Sequence, residues 1–270
     1  DYSCLKQKKK TKKSKNFGNL DEVPVPFDIV SNRTVEVKGK DDISIASTGN
    51  EKTNFTVVLG ILADGSKLPP MLIFKRKTRP KGNFPGVIIK ANPTGWMNSD
   101  LMKEWIDEIW LRRANPAAKS EESVLVLDSA RCHLTDNVKA EIQQHSKLAV
   151  IPGGLTRFLQ PLDISVNKPF KDNLKAQWEE WMSDSRNDQF TLSGRKKRAS
   201  YKTVAEWVRK SFDATPSSCI INGFRRALTD ETVSKLSTEF FFYVALIALN
   251  FFLLRFYRFL LLYKLLLLFL

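Results

Sequence analysis

The chain has 270 residues, 43% of them hydrophobic, and a formal net charge of +14. That is enough apolar side chain for one substantial core and a small second unit, and the positive excess points to a polyanionic partner or an anionic surface. Three cysteines, Cys4, Cys132 and Cys219, are odd in number and far apart, which excludes a disulfide framework and fits a reducing compartment.

Residues 1–16 carry seven Lys against one Asp. The opening residues are charged rather than apolar, so no secretory signal is expected. The block KQKKKTKKSK (6–15) cannot bury itself and reads as a solvated, disordered arm; a nuclear-import signal and a nucleic-acid arm are its two functional readings. The pattern then becomes strand-rich. NLDEVPVPFDI, RTVEVKGK and DISIAST read as short strands broken by turns. NFTVVLGILADGSKLPPMLIFK reads as two strands around a turn at Asp64-Gly65, with Pro69-Pro70 forcing an extended path. GVIIKA is a further short strand.

NSDLMKEWIDEIWLRR (98–113) repeats its apolar residues with a 3.6-residue period, with Asn98 or Ser99 as the cap. GWM (95–97) is expected to anchor that helix. A buried strand follows at 123–128, then a helix in TDNVKAEIQQHS and a strand in KLAVIPG, a βαβ unit that should be parallel and right-handed. A helix is expected from about Ile164 to Met182, with Trp178 and Trp181 facing the core and Lys168 and Lys171 on a solvated or phosphate-facing side. A polar linker starts near Ser183 and carries a second basic cluster, GRKKR (194–198). Helices at 201–213 and 217–228 close this part. No GxxxxGK phosphate loop occurs, so ATP use is not expected.

The fold class expected is α/β, a mixed sheet covered by helices. The organisation expected is a basic arm (1–16), the main domain (17–182), a polar linker with a helical extension (183–238), and a hydrophobic helical tail (239–270). FFFYVALIALNFFLL is 15 uncharged residues, short of the roughly 20 that span a bilayer. Extending it takes in Arg255 and Arg258, each costing a few kcal/mol at mid-membrane on the order of the insertion scales. A tail anchor, a core helix and an extension with no evolved role are the open readings.

Three acids stand at element ends. Alone, each has a plain explanation: Asp21 as a turn before Pro24, Asp128 as a strand-end turn residue, Asp163 as a helix N-cap. Together they match what phosphodiester chemistry needs. Two divalent cations about 3.5–4 Å apart can activate a water and stabilise the leaving oxygen. Mg²⁺ is held by a few carboxylates plus phosphate oxygens. Acids from a central strand, an adjacent strand tip and a neighbouring helix can converge to do this.

The stretches NLDEVPVPFD, SNRTVEVKG, FTVVLGILADGSKLPPMLIFK, GWMNSDLMKEWI, VLVLDSARCHLTD, AVIPGGLTRFLQPLDISVNKPFK and WEEWM carry a resemblance. From about Phe17 to Leu228 the chain resembles the transposase domain of the pogo/tigger group, to which jerky-like and centromere-protein-B-like proteins are related. The resemblance implies a ribonuclease-H-like fold and a catalytic, metal-binding DDD triad on Asp21, Asp128 and Asp163, with 34 residues between the last two. It implies two Mg²⁺ or Mn²⁺ ions, DNA as partner, oligomers on DNA, nuclear localisation, and strand cleavage followed by attack of the freed 3′-hydroxyl on target DNA. Asp21 and Asp128 would bind or bridge the ions and Asp163 would complete the second site. His133 matches the family pattern too, with a supporting role or simple packing as its readings. Relatives carry helix-turn-helix modules ahead of this domain, where this sequence has the lysine block, and a different continuation where it has the apolar tail. A remnant that folds but locates element ends poorly is therefore expected. A membrane-tethered product through 240–270 and a non-catalytic chromatin-binding protein that keeps the fold are the alternatives.

Overall fold

The computed structural model describes residues 16–31, 38, 46–113 and 123–227. The lysine block, most of the RTVEVKGK and DISIAST segments, and the apolar tail lie outside the described residues. No helix among the described residues is long and apolar enough to cross a membrane.

Six strands form one sheet: β1 (Phe17–Pro26), β2 (Asn54–Leu62), β3 (Met71–Lys75), β4 (Ile88–Asn92), β5 (Val124–Leu127) and β6 (Lys147–Val150). Their order is β4-β3-β2-β1-β5-β6. β2 is antiparallel to both neighbours, and the β3–β4, β1–β5 and β5–β6 pairs are parallel. The β2–β3 connection turns at Asp64-Gly65: Asp64 Oδ1 accepts from Ser66 N at 2.9 Å, and Gly65 adopts φ 94°. The carboxyl ends of the five co-directional strands therefore share one edge of the sheet.

Helices cover both faces, which is why β2 is buried at every position after Asn54. One face of the sheet (Leu20, Val58, Ile73, Leu125, Leu127) packs on α1 (Ser99–Trp105), its continuation in a wide π turn (Ile106–Trp110), and α2 (Asp136–His145). The period of the 98–113 segment lands Leu101, Met102, Trp105, Ile106, Ile109 and Trp110 in this core. Asn98 caps the helix, its Oδ1 accepting from Leu101 N at 2.9 Å.

The other face (Val23, Val25, Val57, Leu59, Ile61) packs on α4 (Asn167–Ser183), α5 (Tyr201–Ala214) and α6 (Ser217–Ala227). A short α3 (Thr156–Leu159) and a π turn (Leu162–Val166) lead into α4. Trp178 is in this core, and Trp181 packs edge-on to Trp207 at 5.8 Å between ring centroids. The GRKKR cluster is not a simple solvated run. Lys196 pairs with Asp188 at 2.9 Å and donates to the Met182 carbonyl, and Arg198 lies over the rings of Phe27 and Tyr201. The aliphatic and planar parts of these basic side chains find more favourable contact on aromatic rings than in water.

Candidate active site

Alternation along β1 sends Asn19, Asp21, Val23 and Val25 to the α4 face and Leu20 and Glu22 to the α2 face. Asp21 sits inside β1, opposite Leu59 of β2; it is a strand residue, not the turn residue its proximity to Pro24 suggested. The β1–β5 register pairs Asn19 with Val126. Asp128 follows directly where β5 ends, two residues beyond that pair.

Asp163 comes from the π turn, and one side chain fixes that turn to the sheet. Asn19, only 1% exposed, donates through Nδ2 to the Val126 carbonyl at 3.0 Å and accepts through Oδ1 from Leu162 N at 3.2 Å. Asp163 does not cap a helix, since the turn's first residues follow Pro161 directly. Its Oδ1 instead accepts from Asn167 Nδ2 at 2.9 Å, and the same amide donates to Asp21 Oδ2 at 2.7 Å. An amide nitrogen with two hydrogens thus bridges two carboxylates, and Asn167 Oδ1 stays buried without a hydrogen-bond partner.

Asp128 is held differently. Its Oδ1 accepts from Ala130 N at 3.0 Å, closing the turn after β5, and from His133 Nδ1 at 2.7 Å. His133 Nε2 reaches Glu22 Oε1 at 2.8 Å through the back of the sheet. The strand-tip acid therefore fills the turn role the sequence offered, with its second oxygen left for other partners. His133 is fully buried and contacts two carboxylates, Asp128 and Glu22, so it is neither solvated nor packed without polar partners.

The electrostatics follow. Burial, the Asp163 carboxylate, Glu22 and Asp128 all disfavour charge on Asp21, and the Asn167 hydrogen bond only partly offsets them; its carboxyl is pushed up to about 7. Burial opposes protonation of His133, but the hydrogen bonds from Asp128, Cys132 and Glu22 outweigh it and push the imidazole up to about 12. The His133 hydrogen bond holds Asp128 below the usual carboxylate range, against the opposing effect of burial.

Among the described residues, no three acids, histidines or cysteines are arranged to share one metal ion. Mg²⁺ does not require three. It keeps several waters and is bound through one or two carboxylates plus substrate phosphates. The hard oxygen donors, the charge crowding around Asp21 and the unpartnered Asn167 Oδ1 are of the chemistry that a hard divalent cation takes.

Residues 52–224 match the DDE superfamily endonucleases. The chain belongs to this family. The match takes in Asp128 and Asp163, while Asp21 lies ahead of it. The mouse protein "Pogo transposable element with KRAB domain" is 37% identical over 212 residues, 78% of this chain and 35% of that protein. The pogo resemblance carried by the sequence motifs is thereby established for this DDE domain. The chain spans about a third of the length of the curated relatives it matches. A pre-cleavage Mos1 transpososome shares the fold at a TM-score of 0.55 and 13% identity, covering 88% of this chain and 59% of that one. A mariner Mos1 paired-end complex with Mg shares it at 0.52 and 14%, covering 83% and 55%. The mixed sheet flanked by helices thus has the ribonuclease-H-like fold of those Mos1 structures.

Sequence reasoning gave no role to Glu22, Asn19 or Asn167, the residues that bond to His133, Leu162 and the two acids Asp21 and Asp163. The alternation along β1 was a usable signal for Asn19, a polar residue on the inward phase of a buried strand. Nothing local marks Asn167, whose partners lie four residues away on its own helix and on β1.

Proposed function

We propose that this DDE-family domain is a metal-dependent DNA strand-cleaving and strand-transferring enzyme that uses Asp21, Asp128 and Asp163. What supports this reading is the Asn167 amide that bridges Asp21 and Asp163, with Asp128 just past the end of β5, the strand paired with β1. When bound, two Mg²⁺ or Mn²⁺ ions would supply an activated water or 3′-hydroxyl and charge neutralisation at the scissile phosphate. Asp21 would serve both ions, Asp128 one and Asp163 the other. His133 fixes the Asp128 rotamer and offsets its charge. Asn167 keeps Asp21 and Asp163 adjacent while the site is otherwise unneutralised. The solved Mos1 relatives include DNA-end complexes and complexes with Mg and with Mn, which supports the same substrate and ions here. Pairing of two copies across DNA ends and action in the nucleus belong to the same reading.

The test is nicking of supercoiled plasmid by the full chain with Mg²⁺ or Mn²⁺, against Asp128→Asn. Equal nicking by the two proteins sinks the catalytic assignment. A second reading, a DNA-binding protein that keeps the fold without catalysis, draws on the same hydrogen bonds: Asn167 and His133 already occupy the acids. It predicts DNA binding with no metal-dependent nicking, and no change in melting temperature on adding Mg²⁺.

A further inference from the structure

A pocket of about 210 Å³ lies beyond the carboxyl ends of β3 and β4, lined by Lys52, Thr53, Lys75, Thr94, Gly95 and Trp96 among others. It plays no part in holding the acids. Its rim carries Trp96, 53% exposed, a large aromatic surface that a folded chain ordinarily buries. Lys52 and Lys75 are also exposed, and neither makes an ion pair to another side chain among the described residues.

The loop that presents Trp96 is built rigidly. Asn92 Oδ1 accepts from Gly95 N at 2.5 Å and from Thr94 Oγ1 at 3.1 Å, and Asn92 Nδ2 donates to the Trp96 carbonyl at 2.7 Å. Thr56, from β2, donates its hydroxyl to the Gly95 carbonyl at 2.8 Å. Gly95 adopts φ 78° and lies so close to β3 that a Cβ there would stand 2.9 Å from Lys75 Cβ, so no other residue fits without strain. Four hydrogen bonds thus fix the loop that carries the exposed indole.

Resting on the reading of this domain as a DNA-processing enzyme, we propose that this pocket holds an unstacked base of single-stranded DNA, with Trp96 as the stacking platform and Lys52 and Lys75 on the flanking phosphates. An aromatic face beside paired cations is the arrangement by which proteins track single strands irrespective of sequence. The cavity is the size of about seven waters at liquid density, which suits one base and excludes a folded peptide element. The strand registers put it on the same sheet edge as Asp128, three strands across and about five residues further along, or about 20 Å away. An unstacked single strand spans that distance in a few nucleotides, within reach of a strand freed by cleavage.

The test uses the full chain and a short fluorescein-labelled oligothymidylate, with Trp96→Ala, Trp96→Phe and the double variant Lys52→Ala/Lys75→Ala. Melting temperatures check that each variant is folded. Trp96→Ala should weaken single-strand affinity about ten-fold at every salt concentration, and Trp96→Phe should restore most of it. The double lysine variant should instead flatten the dependence of log affinity on log salt by about 0.7 for each lysine. Plasmid nicking with Mg²⁺ is measured in parallel and should survive all three changes. Wild-type nicking together with unchanged affinity in Trp96→Ala overturns this inference alone. Indole fluorescence that responds to polyglutamate but not to the oligonucleotide also overturns it, assigning the pocket to an acidic protein segment. A wild-type chain that neither nicks nor binds DNA overturns both this inference and the reading beneath it.

Discussion

At the residue scale, the site is a set of carboxylates arranged against their own charge. Asp21 holds its proton up to about pH 7 in the folded protein, while an ordinary carboxylate in the unfolded chain releases it near 4. Between those values the folded state binds the extra proton, so stability falls as pH rises through that window and stays lowered above it. Asp21→Asn, which keeps an acceptor for Asn167, should therefore melt close to wild type near pH 4 and higher than wild type above pH 7, by at most about 4 kcal/mol. Millimolar Mg²⁺ should raise the wild-type melting temperature at pH 8 and leave the variant unmoved; a variant that gains as much from Mg²⁺ removes Asp21 from the ion site. His133 works in the other direction along the titration. Its raised proton affinity contributes stability that is complete below about pH 6.5 and is lost as pH rises towards about 12. Replacing it with Ala leaves Glu22 and Asp128 facing each other with no cation between them, at a cost of about 3 kcal/mol, read as a lowered urea midpoint at pH 6. That difference should shrink at alkaline pH.

At the element scale, close approach by glycine decides where the acids sit. Gly18 of β1 lies under the Trp110 ring, where a Cβ would collide with Cζ3. That ring is locked, its Nε1 donating to Ser146 Oγ at 2.8 Å, and Ser146 bonds in turn to Ser123 at the start of β5. Gly18→Ala should cost about 2–3 kcal/mol through overpacking; chemical denaturation checks it. Gly223 of α6 plays the same part against the π turn. A Cβ there would meet the Pro161 carbonyl oxygen at 2.7 Å, and Ser165 Oγ already donates to the Cys219 carbonyl at 2.7 Å. Gly223→Ala should push α6 off the turn that carries Asp163, reducing nicking at least ten-fold while duplex affinity is retained; equal loss of both would mean general unfolding instead. Most elements were legible in the sequence because their periodicity is strong. The 3.6-residue repeat of 98–113 and the unbroken apolar run of β2 are direct consequences of burial on one and on two faces. The π turns were not legible. They shift the helical register by one residue where Leu162–Val166 must satisfy Asn19 and support Asp163, a demand set by tertiary contacts that leaves no mark in local sequence.

At the scale of the whole molecule, the acids could be read from the chain but their wiring could not. Asp21, Asp128 and Asp163 are visible as acids at the limits of apolar segments, and the family motifs fix their order. The bridge through Asn167 and the relay from Glu22 through His133 join residues 146 and 111 positions apart, which only the assembled sheet brings together. The net positive charge predicts a polyelectrolyte partner irrespective of that wiring. Duplex affinity of the full chain should fall by about a thousand-fold or more between 50 and 200 mM salt if about six phosphates are contacted, as read by fluorescence anisotropy; an affinity indifferent to salt would dismiss DNA as the partner. The packing of α6 under the π turn has a further consequence for how such a gene can decay. A premature stop between Ser183 and Ser217 would leave all three acids in the translated product and still silence it, because the turn that carries Asp163 would lose the α6 contact beneath it. An insertion at the fully exposed Leu192 would be carried with little harm, whereas one beside Lys196 or Arg198 would break their contacts with Asp188, Phe27 and Tyr201.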